Sequence, residues 1–583
     1  MPLLIRQLLH FRPKTNALDL KRGGGRIPLL QSLIHRLHLA HRQSLSLYTM
    51  ARSKTRVRSC ACLVLLCVIA IIVSCIVVFT SQVCSEGDFK HAAVSADSET
   101  CSKIGRDILQ KGGSAVDGAI AALLCTSLVN PQSTGLGGGS IFTVREKSGK
   151  AKVINSREAT PKVFKPDLMK ECSQSLSGSQ WIGVPGELRG PPSNWPERVP
   201  VFPVLSYILQ KKQTCATASP LQELLCHKNK TAPKLGEKLK FNKLADTMEI
   251  IANQGPDAFY NGKIARDLIR DVQDAGGTLS LEDLKSFRVK VTDAWTVTLG
   301  DYTMHIPPPP AGGALVGFIL NVMKGYSLSP ASMEGDQKTL TYHRYVETYK
   351  FANGLRKNIR DPNFSFNMGA SQLITEELAE RVRAMIDSSR THDSSYYNLT
   401  SSLDSLGTSH VSVLDEDGMA VSVTSTINYF FGSNVYSPNT GVILNNELTD
   451  FCGKVDPISA GEQPPSSMSP AVLYSEIKQK ILVIGASGGS MITNGIPLAI
   501  MNHLWFGKDL EEAISAPVLF VDSKNSLRFE PTFDKTVVEA LKGLGHNVEN
   551  KKIFYNVVNA VVKTGSCISA VSDARKKGKS AGY

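Results

Sequence analysis

Two threonines in this chain are spaced so that a hairpin makes them neighbours. Thr408 follows Gly407 and opens the run Thr408-Ser409-His410, and Thr426 closes the return strand. Between them Val411, Val413, Val421 and Val423 alternate, and Glu416-Asp417-Gly418 supplies a three-residue turn with glycine at the left-handed position. Setting Val411 opposite Val423 and Val413 opposite Val421 puts Thr408 opposite Thr426. Side chains so opposed lie about 5 Å apart at Cβ, close enough for two hydroxyls to share a hydrogen bond. The pair reads either as a nucleophile with its orienting partner or as a cross-strand threonine contact.

The elements that must position this hairpin follow from the rest of the chain. Ser98 to Gln110 reads as a capped helix ending at Gly112-Gly113, and Ala115 to Val129 as an Ala/Leu-rich helix stopped by Asn130-Pro131. The glycine run 135–139 has no Gly-Lys-Ser/Thr after it, so it predicts close backbone packing rather than a phosphate cradle. Strands are expected at 141–145, 152–155 and 480–484, and helices over 244–290 and 340–357. The polar segment 387–407 reads as an exposed, cuttable loop. Strands and helices alternate without the rhythm of a doubly wound sheet, so the fold class is α+β.

Charge excludes one class of partner. The 583 residues carry a formal +13, but residues 1–58 hold 12 Lys/Arg and one Asp, leaving 53 basic against 51 acidic residues elsewhere. Nucleic-acid binding is therefore not expected. Residues 61–79 are free of charge over nineteen positions, with Arg52, Lys54, Arg56 and Arg58 before them and no Lys or Arg until Lys90. The length of the run and the lack of an obvious small-residue cleavage site predict an uncleaved signal anchor rather than a cleaved signal peptide, with a cytoplasmic amino terminus, a single-pass type II protein at the plasma membrane. The expected organisation is a tail over 1–59, with Met50 as an alternative start, an anchor over 60–80, and an ectodomain.

Of twelve cysteines, four (Cys60, Cys62, Cys67 and Cys75) lie in or beside the apolar run and eight lie beyond it. None shows metal-ligand spacing, and an extracellular compartment favours disulfides, with Cys101–Cys125 the first expected pair. Sequons at Asn229, Asn363 and Asn398 fit a glycosylated ectodomain.

Several phrases together resemble the gamma-glutamyltransferases, N-terminal-nucleophile hydrolases made as self-cutting precursors. They are Gly113-Ser-Ala-Val-Asp117, Ile154-Asn-Ser-Arg-Glu158, Val184-Pro-Gly-Glu-Leu188, Thr408-Ser-His-Val-Ser412, Ser425-Thr-Ile-Asn428, Asn445-Asn-Glu-Leu448 with Asp450, Pro465-Ser-Ser-Met468 and Gly488-Gly489. The resemblance implies a four-layer αββα fold in two interlocked subunits, 81–407 and 408–583. It implies glutathione, its S-conjugates and cysteinyl leukotrienes as substrates, amino acids or dipeptides as acceptors, and no cofactor or metal.

The same resemblance assigns roles. Cleavage before Thr408 would free an α-amine of pKa roughly 7.7–8, able to activate the hydroxyl of its own residue. Thr426 would orient that hydroxyl, and the N–H groups of Gly488 and Gly489 would hold the oxyanion. Arg157, with Ser466 and Ser467, would bind the substrate α-carboxylate; Glu447, Asp450 and Asn428 would bind its α-ammonium. Two departures stand out. After Gly190 the chain passes through Pro191-Pro-Ser-Asn-Trp-Pro196 where the family has a helical stretch of about twenty residues, and Phe430 stands where a tyrosine is often found, with Tyr429 before it. Two other readings compete: a catalytically silent membrane glycoprotein of this fold, and a serine hydrolase in which Gly485-Ala-Ser487-Gly-Gly489 is a nucleophile elbow served by Asp509 and His546.

Overall fold

The computed structural model describes residues 68–69, 84–172, 176–188, 198–200, 215, 219–365, 369–399, 407–454, 456–550 and 557–583. The chain divides into Met1–Val83 and Cys84–Tyr583. The expected anchor at 61–79 lies almost wholly outside the described residues, as does most of the shortened stretch after Gly190. Among the described residues no helix is long and apolar enough to cross a membrane.

Two large antiparallel sheets form the centre of the second unit. The first has seven strands in the order 581–582, 93–96, 409–414, 420–426, 139–145, 151–155 and 290–293. The second has six, ordered 567–572, 557–564, 480–487, 471–475, 302–306 and 295–299. Helices Glu99–Gln110 and Ala115–Val129 cover the outer face of the first sheet, where Leu109, Ala119, Ala122 and Leu123 meet Val94, Val411, Val413, Val421 and Val423. Gly313–Lys324, Gly335–Leu355 and Ile492–Leu504 cover the second sheet over Met304, Ile306, Leu473, Leu482 and Ile484. The layers therefore run α, β, β, α. The second helical stretch begins at Gly335, five residues before the expected start, and the 244–290 stretch resolves into four helices ending at Ser286.

The hairpin has the expected register: Val411 faces Val423 and Val413 faces Val421. Gly418 turns the chain at φ +87°, and Asp415 closes the loop by accepting from Met419 N and, through its other oxygen, from Ala115 N at the start of the second helix. Alternation then does the sorting. The valines point at the helices, while His410, Ser412, Ser422 and Thr424 point at the opposite sheet. There Ser422 donates to the Ile484 carbonyl at 2.8 Å and Ser412 to the Asn559 carbonyl at 3.1 Å. Thr408 and Thr426 continue this inward row to the strand ends.

The glycine run serves packing. A Cβ on Gly138 would lie 2.0 Å from the Thr426 carbonyl oxygen, and one on Gly137 2.1 Å from that of Ile443. Gly485 makes comparable room for His410, whose ring nitrogens engage Thr424 Oγ1 and Ser412 Oγ at 2.9 Å each. An added Cβ there would lie 2.1 Å from His410 Cε1. The ring is locked and cannot step aside, so Gly485→Ala is expected to cost about 1–3 kcal/mol of stability. A thermal melt checks this; an unchanged midpoint would show that the sheets separate more easily than their hydroxyl bonds suggest.

All eight cysteines beyond the apolar run are paired: Cys84–Cys567, Cys101–Cys125, Cys172–Cys452 and Cys215–Cys226. The expected Cys101–Cys125 bond is among them. The sequon residues Asn229, Asn363 and Asn398 are all exposed.

Candidate active site

Thr408 and Thr426 meet as their spacing predicts. Thr408 Oγ1 donates to Thr426 Oγ1 at 3.2 Å, and the same oxygen accepts from Asn428 N at 2.8 Å. Thr408 has φ +78°, a conformation β-branched residues strongly disfavour. Its peptide neighbour Gly407, at φ +152°, fits where a Cβ would lie 1.9 Å from the Asn428 carbonyl oxygen. The carbonyl of Gly407 accepts a hydrogen bond from Gly488 N at 3.0 Å. Gly488 and Gly489 adopt φ +120° and +60°, and open a short 3-10 turn that runs into helix Ile492–Leu504. The positive end of that helix thus faces the Gly407–Thr408 bond.

His410 is not a base for this hydroxyl. Burial, with the Lys576 charge nearby, pushes its pKa down to about 3, so the ring is neutral and both nitrogens are committed.

Arg157, which follows strand 151–155, is fully buried. Its Nη1 donates to Glu447 Oε1 at 2.6 Å, Nη2 to Asp450 Oδ2 at 2.7 Å and to the Pro465 carbonyl at 2.8 Å, and Nε to the Pro464 carbonyl at 2.7 Å. Asp450 uses its other oxygen to accept from Asn428 Nδ2 at 2.9 Å. A continuous path therefore links Thr408, Thr426, Asn428, Asp450 and Arg157. Ser466 Oγ accepts from Met468 N and Ser467 Oγ from Arg356, on the loop beside Arg157. All ten residues singled out in the sequence fall into two adjoining groups, one at the nucleophile and one at Arg157.

Burial sets the electrostatics. It raises the Glu447 carboxyl to about 7, with Arg157 opposing and Asp450 adding to the rise. Glu158 goes well above its ordinary value for the same reason, and the Asp450 carboxyl is raised too. Burial works against the Arg157 charge, but Glu447, Asp450 and Glu158 outweigh it and hold the guanidinium above its usual range. Three carboxyls thus surround one guanidinium.

Sequence reasoning missed Lys576. Its ammonium, buried, lies 2.5 Å from Asp97 Oδ2, donates to the Thr408 carbonyl at 2.7 Å and reaches Ser487 Oγ at 3.2 Å. It fixes the carbonyl side of Thr408 from 168 residues away. Arg356 was also missed; it joins Ser467 Oγ to Thr493 Oγ1.

The elbow reading is overturned by position. Ser487 is bonded to Lys576, Asp509 caps helix Leu510–Ser515 by accepting from Glu512 N, and His546 is held between His343 Nδ1 at 2.8 Å and Lys350 Nζ at 2.9 Å. These three make no common site. His343, Glu347 and His546 cluster closely enough to suggest a metal. However, the Lys350 ammonium sits among them, 3.3 Å from Glu347, and Thr391 and Tyr397 donate to that carboxylate. The cluster is a satisfied polar core.

A sequence model of the gamma-glutamyltranspeptidases matches residues 101–195 and 197–583. The chain belongs to the gamma-glutamyltranspeptidase family. Glutathione hydrolase 5 proenzyme from Rattus norvegicus is 43% identical over 570 residues, spanning 90% of this chain and 99% of its own. The Homo sapiens protein of that name is 43% identical over 553 residues, spanning 86% and 94%. Among solved structures, cephalosporin acylase from Bacillus halodurans superposes with a TM-score of 0.74 at 23% identity, over 85% of this chain and 96% of that one, which shows likeness of fold. Phe430 is buried in the core cluster that also holds Phe431 and Leu444. Tyr429 beside it is half-buried.

Proposed function

We propose that this protein is a precursor that cuts itself between Gly407 and Thr408, and then acts as a γ-glutamyl hydrolase and transferase. Its substrates are glutathione, glutathione S-conjugates and cysteinyl leukotrienes. The observation that carries the reading is the Gly488 N–H on the Gly407 carbonyl, at the bond that bears the Thr408 hydroxyl. In the uncut chain this donor polarises the scissile carbonyl. Attack by Thr408 Oγ1 forms an ester to Gly407 as the C–N bond breaks and the hydroxyl proton passes to the departing Thr408 nitrogen, and water then releases the Gly407 carboxylate and the free hydroxyl. Departure of that carbonyl leaves the Gly488 and Gly489 N–H groups free for a substrate's γ-carbonyl. The new α-amine of Thr408 takes the hydroxyl proton, Oγ1 bonds the carbon of the γ-carbonyl, and the amide nitrogen leaves protonated. Water or an acceptor amine then resolves the γ-glutamyl ester.

The other end of the site supports the substrate class. Arg157 is paired with Glu447 and Asp450, so a ligand entering between them must offer each a new partner. A simple anion leaves two carboxylates stranded, and a simple cation strands the guanidinium. A γ-glutamyl group, with α-carboxylate and α-ammonium on one carbon, replaces both halves at once, with Ser466 and Ser467 adding hydroxyl donors. The names of the rat and human relatives, glutathione hydrolase and proenzyme, agree with this reading. The apolar run 61–79 would anchor the protein with its catalytic part outside, consistent with exposed sequons and four disulfides.

Amino-terminal sequencing of purified, reduced protein tests the proposal. A fragment of about 19 kDa, at the usual ~110 Da per residue, beginning at Thr408 and accompanying γ-glutamyl release from glutathione is expected. One intact chain that still hydrolyses glutathione would refute it.

A further inference from the structure

The head-group pocket is assembled from both sides of the proposed cut. Arg157 precedes Gly407, whereas Glu447, Asp450 and Ser466 follow it. Of the four disulfides, Cys101–Cys125 and Cys215–Cys226 lie wholly before the cut, but Cys84–Cys567 and Cys172–Cys452 join a residue before it to one after it. The second of these stands at the pocket.

Cys452 directly ends the 3-10 turn Glu447–Phe451, which carries both carboxylates, and its N–H closes that turn on the Thr449 carbonyl. Thr449 Oγ1 in turn accepts from Asn428 Nδ2 at 3.0 Å. Cys172 ends the 3-10 turn Leu168–Glu171 on the other side. Between the two turns lies a small apolar cluster of its own, with Leu168, Trp181, Leu448 and Phe451 at its centre. Such a satellite cluster holds two short turns only weakly, because neither has a sheet or long helix to fix it.

We infer that the Cys172–Cys452 bond is a positioning clamp: it joins the two products of cleavage covalently and holds the Glu447/Asp450 turn in register with Arg157, setting affinity for the γ-glutamyl head group. The first half rests on the cleavage proposed above; the second does not. The Cys84–Cys567 bond shares only the first role, since it ties the start of the ectodomain to strand 567–572, whose residues take no part in the pocket.

Electrophoresis of the purified full-length protein, with and without reductant, separates these claims. Two bands with reductant and one without are expected; two bands in both lanes would overturn the covalent linkage. A single band in the reduced lane would defeat the cleavage reading and the linkage that depends on it, while leaving the clamp to kinetics. The Cys172→Ser/Cys452→Ser double variant is expected to raise KM for γ-glutamyl donors about tenfold with kcat within about twofold. The Cys84→Ser/Cys567→Ser double variant is expected to keep the wild-type KM. Should the first variant fail to fold, mature wild-type protein is titrated with a phosphine and KM is followed against the fraction of the Cys172–Cys452 bond opened, read by thiol labelling and peptide mapping. The disulfide is the oxidant: each bond takes two electrons from a phosphine and becomes two thiols, while water supplies the oxygen atom of the phosphine oxide and the two thiol protons. A KM unmoved by opening the 172–452 bond would overturn the clamp.

Discussion

Thr408→Ala is expected to yield a single uncut chain that releases no γ-glutamate. Both losses would follow from one atom, because in the proposed mechanism Oγ1 attacks the Gly407 carbonyl and later the substrate. The alanine chain keeps the Gly488 N–H on that carbonyl at its present 3.0 Å, and keeps Lys576 on the carbonyl of residue 408. Electrostatic polarisation without a nucleophile should leave the peptide intact over days. The left-handed φ of +78° at residue 408 contributes on the order of 1–3 kcal/mol of strain that cleavage can relieve. Alanine lacks both Cβ substituents of threonine and so strains less, which further favours the uncut form. Thr408→Ser keeps the hydroxyl and is expected to cut, more slowly, because serine gives up the χ1 restriction that aims threonine at Thr426. Activity should fall by at least about 10⁴-fold in Thr408→Ala, as when a covalent nucleophile is removed elsewhere. A reduced gel and a γ-glutamyl release assay read both effects. Cleavage that persists in Thr408→Ala, with loss in Ser487→Ala instead, would move the nucleophile to the strand end at 487.

The hairpin and its threonines were legible because period-two alternation and a glycine turn fix a register locally, with no knowledge of the rest of the chain. The glycine run was legible for a similar reason: without phosphate-loop partners, five closely spaced positions with four glycines predict backbone contact, and Gly138 against Thr426 supplies it. Lys576 was not legible. A lysine in a run with Arg575 and Lys577 reads as a solvated basic tail, and only the closing of strands 557–564 and 567–572 carries it back beneath Thr408. Arg157 was half legible. Its residue type and its neighbours in the chain matched a carboxylate binder, but its burial with Glu447 and Asp450 depends on contacts 290 and 293 residues away. The disulfides show the same limit: Cys101 and Cys125 sit on consecutive helices, whereas Cys172 and Cys452 are 280 residues apart.

That burial changes what Arg157→Ala should do. An exposed carboxylate binder would lose affinity alone, but here removal of the guanidinium leaves Glu447 and Asp450 facing each other without a counter-charge. Breaking a buried pair in this way costs about 3–5 kcal/mol, which a thermal or denaturant melt will register. The chemistry at Glu447 then shifts further. Its carboxyl already lies at about 7 because of burial, and Arg157 is the group that restrains the rise. Without it Glu447 is expected to be neutral at pH 7 and to lose its attraction for a substrate ammonium, so one substitution would disable both halves of the proposed head-group site. Donor KM is expected to rise by about 100-fold, equivalent to ~3 kcal/mol of lost charge-assisted bonding, with residual binding improving as pH is raised and Glu447 ionises. Arg157→Lys separates the two effects. A lysine can neutralise one carboxylate and restore part of the stability, but it has no fork for a carboxylate, so KM should stay high. If Arg157→Lys instead restores KM along with the melt, the arginine acts only as a structural counter-ion and the α-carboxylate is held by Ser466, Ser467 or Arg356.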